Sequence, residues 1–385
     1  MFVALDAFYS RTPRGIGNHI RRLYETLATH HDHRYALLAP GVNPWASSLA
    51  ARYPNVVHLA FPDVPFPIWE QVLLPSKVVH LKPDLLHCPG NTAPLAMRRR
   101  TPLVLTIHDV MALKNRAELP YSSSWYQNAG RLYRRAILSR AALGAAAVIS
   151  VSNFSRDDLL IACPNLSAEK VRVVPNGPSM SPGLCATPNP EIERFLGQGD
   201  DLIFALGAVD PRKNTARVVT AFDAFNLRAR NGSYRLVVAG LNRGDVAAVD
   251  SAVARAKNRD RIHLLGEVSE AQLKWLYQKS RIFLYVSLYE GFGIPLLDAM
   301  AEGVSIVASD TSSIPEVLGD CGELVNPHDV GSIVEGMLGA LSRSKTTLRH
   351  AMTDRLRLFE WTEIAKSTLG VFASVAAGQT PIHGL

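Results

Sequence analysis

Apolar and polar positions along this chain follow two different patterns, one typical of strands and one typical of helices. Short apolar runs rich in β-branched residues indicate strands, and the longer stretches between them, with apolar residues at helical spacing, indicate amphipathic helices. Strands that alternate with helices predict parallel sheets covered by helices on both faces, so two series of strands predict two doubly wound α/β domains. The first series comprises Phe2–Asp6, Tyr35–Ala39, Val56–Ala60, Asp84–His87, Leu103–His108, Ala147–Val151 and Val171–Val174. The second series comprises Leu202–Leu206, Tyr234–Ala239, Arg261–Leu265, Arg281–Val286, Ser305–Ala308 and Glu323–Val325.

A proline-rich stretch separates the two series. Residues 175–190 contain five prolines together with Gly177 and Gly183, a composition typical of a connection between domains. We therefore expect one domain at 1–178, a linker at 179–195 and a second domain at 196–360. Ligands of doubly wound domains bind beyond the carboxyl ends of the strands, and the cleft between two such domains is the expected site.

Length and composition narrow the class of protein. The 385 residues exceed one ordinary domain and fit two. A hydrophobic content of 47% with 19% charged residues favours packed cores over disorder. The four cysteines lack C-x-x-C spacing, so neither a zinc site nor a disulfide framework is indicated, and a reduced, cytoplasmic setting is expected. Asp6 ends the first apolar run, which argues against a signal peptide, and no apolar run is long enough to predict a membrane span.

Positive charge is concentrated in the first half of the chain. Residues 1–180 hold 20 Lys and Arg against 11 Asp and Glu, a net charge of +9, whereas the remainder holds 21 against 23, a net charge of −2. A basic half predicts contact with a polyanion or an anionic surface. No aromatic-basic RNA module or DNA-reading helix pattern is present, so we expect no nucleic acid and favour an anionic membrane surface.

One stretch of the basic half combines arginines with aromatic residues. It runs from Tyr121 to Arg140, and Arg98–Arg100 adds three more cations. Such a surface can lie on anionic lipid or contact a polyprenyl-phosphate acceptor. A solvated helix whose aromatic residues pack inward is the favoured alternative.

A strand-to-helix junction in the second half carries two acids eight residues apart. The strand Arg281–Val286 is followed by Glu290, by Gly291 and Gly293, and by a helix that contains Asp298. A helix start presents unpaired N–H groups that attract anions, and glycine lets a ligand approach the backbone closely. The two carboxylates could accept hydrogen bonds from two hydroxylated groups, which indicates a phosphate between two sugars. A packing role is an equally good interpretation at this point.

Two other strand ends carry groups that suit phosphate or sugar binding. Arg212 and Lys213 follow the strand Leu202–Leu206, where Arg offers a planar fork and Lys a point charge to a diphosphate. His108 and Asp109 stand where another strand emerges, and imidazole is the natural hydrogen-bonding group near neutral pH. The alternatives are a solvated basic pair and a structural histidine.

The first predicted helix opens with Gly15 and Gly17, and the N–H groups of such a loop can cradle a phosphate. The third glycine of the dinucleotide fingerprint is missing, so a purely structural turn is the alternative. His87, at a further strand end of the first series, fits the lining of an acceptor cleft and a core role equally well.

Several of these motifs together resemble one family. The segment from Glu290 to Asp298 resembles the Glu-x7-Glu signature of retaining glycosyltransferases of family 4, which have the GT-B fold. The elements P-R-K-N at 211–214, T-I-H-D at 106–109, G-I-G at 15–17 and V-x-P-N-G at 173–177 are similar to further elements of that family. The resemblance covers nearly the whole chain. It implies two Rossmann-like domains that face each other across a cleft, with the last helix, about 361–385, packed back on the first domain.

The resemblance also implies roles for individual side chains. Glu290 would contact the donor sugar and Asp298 the nucleotide ribose, although the family has Glu at the second of these positions. His108 would reach the transferred sugar, with Asp109 as the residue that positions it. Glu290, His108 and Asp109 are therefore the expected catalytic residues.

The diphosphate of the donor would be bound by Lys213. The family often has an arginine where this chain has Ala208, so either Arg212 takes that duty or the diphosphate has one cation fewer. Gly266 lies in a turn that resembles the family's nucleobase-lining turn. The remaining expected donor contacts are Gly15, Gly17, Gly291, Phe292, Gly293 and Ile294.

The implied reaction moves a sugar from a nucleotide-diphosphate donor to an acceptor hydroxyl with retention of anomeric configuration, without a metal or another cofactor. GDP-mannose or a GDP-deoxymannose is the first expectation for the donor. The expected acceptor is a lipid-linked or polysaccharide chain in bacterial surface polysaccharide or lipopolysaccharide assembly. The enzyme would be cytoplasmic and peripheral on the inner face of the membrane.

Two rival functions remain open. One is a GT-B sugar-nucleotide epimerase, which needs no acceptor. The other is a catalytically silent nucleotide-sugar-binding subunit, which the departures at Asp298 and Ala208 make conceivable. A local alternative concerns residues 309–317, which resemble the floor of the family's donor pocket. For these residues, helix capping by Ser312 or Ser313 is the favoured explanation.

Overall fold

Two parallel β-sheets flanked by helices form the described part of the chain. This computed structural model describes residues 1–97, 101–115, 125–181, 183–229 and 233–378, and at residue 126 the backbone alone. All thirteen predicted strands are confirmed, with ends within one residue of those expected. The strands of the first sheet are β1 (Phe2–Asp6), β2 (Arg34–Pro40), β3 (Val56–Phe61), β4 (Leu85–Cys88), β5 (Leu103–Ile107), β6 (Ala147–Ser150) and β7 (Val171–Val173). Those of the second are β8 (Asp201–Leu206), β9 (Tyr234–Ala239), β10 (Ile262–Leu265), β11 (Ser280–Tyr285), β12 (Ser305–Ser309) and β13 (Glu323–Val325).

Helices connect these strands. A π-helical turn, Trp69–Leu73, leads directly into the helix that begins at Leu74. In the first half of the chain they are α1 (Ile16–Leu27), α2 (Pro44–Arg52), α3 (Phe66–Ile68), α4 (Leu74–Leu81), α5 (Trp125–Gly144) and α6 (Asn153–Ala162). In the second half they are α7 (Pro190–Phe195), α8 (Thr215–Arg228), α9 (Ala247–Arg255), α10 (Glu270–Lys279), α11 (Ile294–Glu302), α12 (Ile314–Leu318), α13 (Val330–Ser342), α14 (Lys345–Leu356) and α15 (Trp361–Ala376).

Each sheet reverses its strand order once. The first sheet has the order β3-β2-β1-β4-β5-β6-β7 and the second β10-β9-β8-β11-β12-β13, with parallel pairing throughout. The prediction of doubly wound sheets is therefore confirmed. The reversals fall between β1 and β4 and between β8 and β11. At such a point the connections on either side leave in opposite directions, which opens a crevice beyond the carboxyl ends of the strands.

The apolar character of the strands follows from their cover on both faces. β5 and β6 are buried along their whole length, as expected where helices cover both sides of a parallel sheet. Successive residues of a strand point to opposite faces. Accordingly, Leu5 and Val104 belong to one apolar cluster, and Ala4 and Leu105 to the cluster on the other face.

The chain divides into two compact units. The first contains Met1–Lys114, Ala129–Gly177 and the C-terminal segment from Phe359, and the second consists chiefly of Pro178–Leu358. The stretch 179–195, which we expected to be a linker, thus belongs to the second unit and contains α7. Its first residues are hydrogen-bonded to side chains of α10 and α11. Composition alone gave no indication of those contacts.

The last helix, α15, belongs to the first unit and packs against α1. Its apolar residues recur at helical spacing and join the core that contains Ile20 and Leu23 of α1. Phe372 is fully buried there, with its ring 5.1 Å from that of His87. The C-terminal segment therefore completes the apolar core of the first unit.

We expect Phe372→Ala to lower the free energy of unfolding by about 3–5 kcal/mol, because truncation of a buried aromatic ring leaves a cavity. Urea denaturation followed by circular dichroism measures the change. Lys366→Ala is the matched control, since Lys366 lies on the same helix with 63% of its side chain exposed. Equal stability of the two variants would show that α15 contributes nothing to this core.

Candidate functional site

Two loops of the second unit meet at the point where the strand order of its sheet reverses. One follows β8 and contains a single helical turn, Pro211–Lys213, whose start is capped by the Asp210 carboxylate accepting from the backbone N–H of Arg212. The other follows β11. The backbone N–H of Leu288 donates to the carbonyl of Arg212 at 2.7 Å and so joins the two loops. Residues that are distant in sequence are thereby brought to one sheet edge.

A buried carboxylate between two cations is the central feature of this edge. Glu290, 7% exposed, accepts from Nη1 of Arg212 at 2.6 Å and from Nζ of Lys213 at 2.7 Å. Arg212 also binds Asp210, through Nε at 2.9 Å. Burial by itself would raise the pKa of Glu290, but the charges of Arg212 and Lys213 outweigh it and lower the pKa to about 2. The sequence patterns that separately indicated Glu290 and the basic pair thus describe one cluster.

Tyr285 is a member of this cluster that the sequence analysis missed. It is the last residue of β11, and its ring centroid lies 4.9 Å from Nζ of Lys213. The Tyr285 hydroxyl is 3.4 Å from the same nitrogen. A cation over an aromatic face is attracted by the ring quadrupole. The sequence signal that could have identified Tyr285 was its position near the end of a predicted strand, just before the Glu290 loop.

The loop from Glu290 to the start of α11 is shaped by glycine and serine. Gly293 has a φ of 107°, a region that favours glycine, and stands at the N-cap of α11. The Ser313 hydroxyl bonds the carbonyls of Glu290 and Phe292, each at 2.9 Å. Ser312 accepts from the backbone N–H of Glu290 at 3.1 Å. Gly291 and Phe292 are buried within this loop, and Ile294 begins the helix.

The expectation that Ser312 or Ser313 caps α12 through its hydroxyl is wrong. Ser313 occupies the N-cap position, but its side chain makes no capping hydrogen bond. The carbonyls of the Glu290 loop lie within its reach and take the hydroxyl instead. Both serines therefore support the Glu290 loop.

Asp298 has partners that the sequence did not indicate. It lies in α11, is 2% exposed, and accepts from the backbone N–H and the hydroxyl of Ser179 at 2.8 and 2.6 Å. The N–H of Met180 adds a longer bond of 3.3 Å. Burial is the main cause that raises the pKa of Asp298 to about 6. The carboxylate is thus already bound to the segment that follows the V-P-N-G element.

Gly266 follows β10 and packs against the loop after β9. A Cβ atom at this position would stand 2.5 Å from the Asn242 side-chain oxygen. Its carbonyl accepts from the N–H of Gly240 at 3.0 Å. Close packing of two loops is therefore a sufficient reason for glycine here.

In the first unit, His108 is held by the loop that follows β4. Its Nε2 lies 3.0 Å from the Pro89 carbonyl, and its backbone N–H donates to the Asn91 side chain at 2.6 Å. Since a carbonyl only accepts, Nε2 carries the hydrogen and Nδ1 of the neutral ring is an acceptor. Burial is the main cause that lowers the pKa of His108, which keeps the ring neutral at pH 7.

The expectation that Asp109 positions His108 stays a prediction, and the Asp109 side chain is hydrogen-bonded elsewhere. The Asp109 carboxylate accepts from the backbone N–H of Met111 at 2.9 Å and so caps the short turn Met111–Leu113. Pro89 and Asn91 hold the histidine instead. Asp109 still acts on His108 through its charge, which opposes the lowering of the histidine pKa by burial.

A second histidine, His19 of α1, was also missed. Its ring lies edge-on to that of His108 at a centroid distance of 4.9 Å and 5.8 Å from the ring of Trp361. It is buried, and burial is the main cause that lowers its pKa, against which a hydrogen-bonding interaction with the Asn176 side chain acts. Its place in α1, two residues after Gly17, gave no indication of this contact.

Glycine is required at Gly15 and at Gly17, at the start of α1, for two different physical reasons. At Gly15 a Cβ atom would meet nothing within 4 Å, but the φ of 45° favours glycine, so the backbone conformation is the constraint. At Gly17 a Cβ atom would collide with the carbonyl oxygens of Thr12 and Tyr9.

His87 is a core residue, because its ring nitrogens bond the Tyr24 hydroxyl and the Thr106 hydroxyl.

Comparison with known families identifies the class of protein. Residues 13–179 match the family model of Glycosyltransferase Family 4, and residues 190–358 match that of Glycosyl transferases group 1. The chain belongs to this glycosyltransferase family, as the resemblance predicted. It is accordingly an enzyme of the hexosyltransferase class.

Individual relatives are similar to this chain at moderate identity. O-antigen chain mannosyltransferase B of Escherichia coli is 27% identical over 301 residues, which cover 76% of this chain and 74% of the relative. MMP α-(1→4)-mannosyltransferase of Mycolicibacterium hassiacum is 26% identical over 307 residues, 76% of this chain and 71% of the relative.

Solved glycosyltransferases share the fold. Sucrose-phosphate synthase from Thermosynechococcus elongatus superposes with a TM-score of 0.73 at 18% identity, covering 98% of this chain and all of that chain. Anabaena HepE in complex with UDP and glucose gives a TM-score of 0.69 at 18% identity, covering 97% of this chain and 99% of that chain. The predicted GT-B fold is confirmed.

We expect Glu290→Gln to lower the free energy of unfolding at pH 7 by roughly 2–3 kcal/mol, because it removes the carboxylate paired with the largely buried Lys213 and one of the carboxylates paired with Arg212. The folded pKa of Glu290 lies below its ordinary value of 4.5, at about 2. Its contribution is therefore fully present above pH 4.5 and is lost as the pH falls towards 2. Urea denaturation at pH 7, 4 and 3 should show the difference from wild type unchanged down to about pH 4.5 and shrinking below it.

Glu335→Gln is the matched control for this change, since Glu335 pairs with Arg228 at 2.7 Å with 64% and 51% of the side chains exposed. An exposed pair of this kind contributes less than about 1 kcal/mol. A Glu290→Gln protein as stable as the control at pH 7 would contradict the assigned importance of the cluster.

Proposed function

We propose that this enzyme transfers a hexose from a nucleotide-diphosphate sugar to an acceptor hydroxyl, with retention of anomeric configuration. The observation that carries the proposal is the Glu290 cluster with Arg212 and Lys213 at the switch point of the second sheet. The first donor to test is GDP-mannose, followed by GDP-deoxymannoses. Support for mannose comes from relatives named as mannosyltransferases.

The cluster suits a ligand that carries both a diphosphate and a sugar. Arg212 would bind the diphosphate through its planar fork and Lys213 as a point charge. These cations and the N-terminus of α11 would stabilise the charge that develops on the leaving diphosphate. Once the phosphate oxygens share the cations, Glu290 can accept hydrogen bonds from the sugar hydroxyls. The proposal therefore includes no metal and no other cofactor.

The role expected of His108 is a contact with the transferred sugar. His108 is neutral at pH 7, and its Nδ1 can accept a hydrogen bond from a sugar hydroxyl. Asp109 would act on this histidine through its charge alone. Gly15 stands at the N-cap of α1 with open space around it, so the backbone there can approach a phosphate. Gly17 is assigned to packing.

We propose a lipid-linked or polysaccharide acceptor in bacterial surface polysaccharide assembly, since two relatives are named for O-antigen chain synthesis. A lipid-linked acceptor would favour an enzyme that rests on the inner face of the membrane. None of the helices in the described ranges combines the length and the hydropathy that a bilayer-spanning segment requires.

One face of α5 suits such contact. Ala129, Leu132, Ala136 and Leu143 are exposed at helical spacing, with Leu132 67% exposed. The whole helix contains four arginines and no acid, and Arg135 and Arg140 are exposed beside the apolar residues. An apolar stripe flanked by cations favours binding at the surface of an anionic bilayer.

Of the aromatic residues near α5, one packs inward, as the solvated-helix interpretation expects, and one is exposed, as a lipid-facing surface would require. Tyr133 packs inward, with its hydroxyl bonded to Glu70 and to Gln71. Trp125 is 78% exposed. Tyr121 and Arg98–Arg100 lie outside the described residues, as does the side chain of Tyr126.

We expect Lys213→Ala and Glu290→Ala each to abolish transfer, with a loss of at least about 100-fold in kcat, because each removes a charge aimed at the donor. Mass spectrometry of the glycosylated acceptor measures the rate. Saturating GDP-mannose should raise the wild-type Tm, and Lys213→Ala should remove that rise. Arg228→Ala is the control, as Arg228 is a half-exposed cation of the same unit.

Transfer at the wild-type rate by folded Glu290→Ala protein would refute the assigned site. A panel of nucleotide sugars in the same thermal-shift assay identifies base and sugar before the acceptor is known. Turnover of the donor to its epimer without an acceptor would instead identify an epimerase.

We expect Leu132→Glu to reduce cosedimentation with phosphatidylglycerol vesicles several-fold, because it places a negative charge on the face that meets an anionic surface. Binding of the wild type should also weaken as salt is raised. Leu324→Glu, at a position 42% exposed in the second unit, is the matched control. Equal vesicle binding by both variants would exclude this face of α5 as the membrane contact.

A further inference from the structure

The loop that follows β4, residues 89–95, is held at both of its ends. At its start, the Pro89 carbonyl and the Asn91 side chain bind His108. Asn91 has a φ of 68°, in the left-handed region that favours glycine, and its backbone N–H donates to the Thr106 carbonyl at 3.1 Å. A backbone conformation of this kind persists only where the surrounding structure imposes it. The position of His108 therefore depends on the contacts that fix this loop.

Two consecutive side chains of the π-helical turn hold the other end of the loop. The Thr92 hydroxyl donates to Oε1 of Glu70 at 2.5 Å. The amide nitrogen of Gln71 donates to the Ala93 carbonyl at 3.2 Å, and its amide oxygen accepts from the N–H of Leu95 at 3.0 Å. Gln71 also donates to the Glu70 carboxylate at 2.7 Å. Glu70 and Gln71 thus hold the loop as a pair.

The π-helical turn is itself anchored to the sheet and to α5. The indole N–H of the fully buried Trp69 donates to Asp6, the last residue of β1, at 2.8 Å. The Tyr133 hydroxyl of α5 donates to the Glu70 carboxylate. Turns of the π type are rare and are frequent at functional sites. Glu70 therefore joins the turn, the loop after β4 and α5 within the first unit.

Glu70 is an acid at a place where a charge is costly. The residue is fully buried, and burial is the main cause that raises its pKa to about 7, against the hydrogen bonds from Thr92 and Tyr133. An amide or an apolar side chain would avoid the cost of burying a charge. Acids with pKa values shifted in this way are concentrated at functional sites. The hydrogen bonds of Glu70 and the cost of its burial together indicate a role beyond packing.

We propose that Glu70 is a positioning residue for His108. Its carboxylate fixes Thr92, and through Thr92 it fixes the part of the loop that binds the histidine. With the loop in place, the Pro89 carbonyl accepts the hydrogen on Nε2, and Nδ1 is left to accept from a sugar hydroxyl. This inference deepens the proposed function and rests on it, since it takes His108 to contact the transferred sugar.

Removal of one hydroxyl tests the proposal. Thr92→Val should lower kcat by about 10- to 100-fold, because a displaced His108 ring loses its contact with the sugar. The KM for the donor should change by less than about twofold, since the expected nucleotide and diphosphate contacts lie on the second unit. Glu70→Gln should have a similar effect. Thr92→Ser, which keeps the hydroxyl, should retain the wild-type kcat.

Thr368→Val is the matched control. Thr368 and Thr92 are each 1% exposed, and the Thr368 hydroxyl donates to the Ile364 carbonyl at 2.8 Å within α15. Both changes therefore remove a buried hydroxyl and its hydrogen bond from the first unit. Thr368→Val should lower the Tm but leave kcat unchanged. Equal losses of kcat in the two variants would assign the effect to stability and overturn the positioning role.

The tautomer of His108 provides a readout that needs neither donor nor acceptor. Nitrogen NMR of histidine-labelled protein at pH 8, above the pKa of Glu70, distinguishes protonated from unprotonated ring nitrogens, and His108→Gln assigns the signals. Wild-type His108 should carry its hydrogen on Nε2 alone. Thr92→Val and Glu70→Gln should shift the His108 signals towards a mixture of the two tautomers. Thr368→Val should leave them unchanged.

The two readouts separate this inference from the proposed function. Signals that shift while kcat keeps its wild-type value would support the positioning of His108 and refute its sugar contact. Wild-type His108 signals in Thr92→Val would overturn the positioning role, whatever the change in kcat. Absence of transfer by the wild type would count against the proposed function, and the His108 signals would still test Glu70. If Glu70→Gln does not fold, Thr92→Val carries both measurements, because it retains the acid.

Discussion

The site depends on one buried carboxylate shared by two cations. Glu290 could not remain ionised at 7% exposure without Arg212 and Lys213, and each cation would be costly to bury without Glu290. The cluster therefore ties the loop after β8 to the loop after β11. With Asp210 also bound to Arg212, the cluster balances two cations with two carboxylates. Under the proposed function, a diphosphate would share Arg212 and Lys213 with these acids, so the same side chains would stabilise the free site and bind the donor.

The topology of the sheets explains why these residues meet. β8 and β11 are neighbours at the reversal of strand order, so the loops that leave their carboxyl ends start side by side and can be joined. In the first sheet, the loop after β4 holds His108 at the end of the adjacent strand β5. In both units, polar groups are gathered at carboxyl ends of strands, while the strand interiors are occupied by apolar side chains. Within each strand, the apolar interior therefore supports the fold, and the polar groups at the carboxyl end are the candidates for chemistry.

Predictions from the sequence were correct for the strands, because a local pattern of residues carried the information. The strands were found because a sheet covered on both faces demands short apolar runs. Glu290 and the basic pair were found because they follow such runs. The side-chain hydrogen bonds of Asp109 and Ser313 were not predicted, since the nearest backbone group determined them: the N–H of Met111 in one case and carbonyls of the Glu290 loop in the other. Tyr285 and His19 were missed because their partners lie far away in sequence.

The sequence by itself determined the two-sheet architecture, the family, and which strand ends are candidates for chemistry, because periodicity and motif spacing are local properties of the chain. Only the tertiary structure decided how the charges are paired. It set Glu290 between Arg212 and Lys213, and it placed Ser179 against Asp298 across 119 positions of sequence. A hydrogen bond depends on distances of about 3 Å between atoms. Such distances are fixed by packing of whole helices and loops, and no local pattern of residues encodes them.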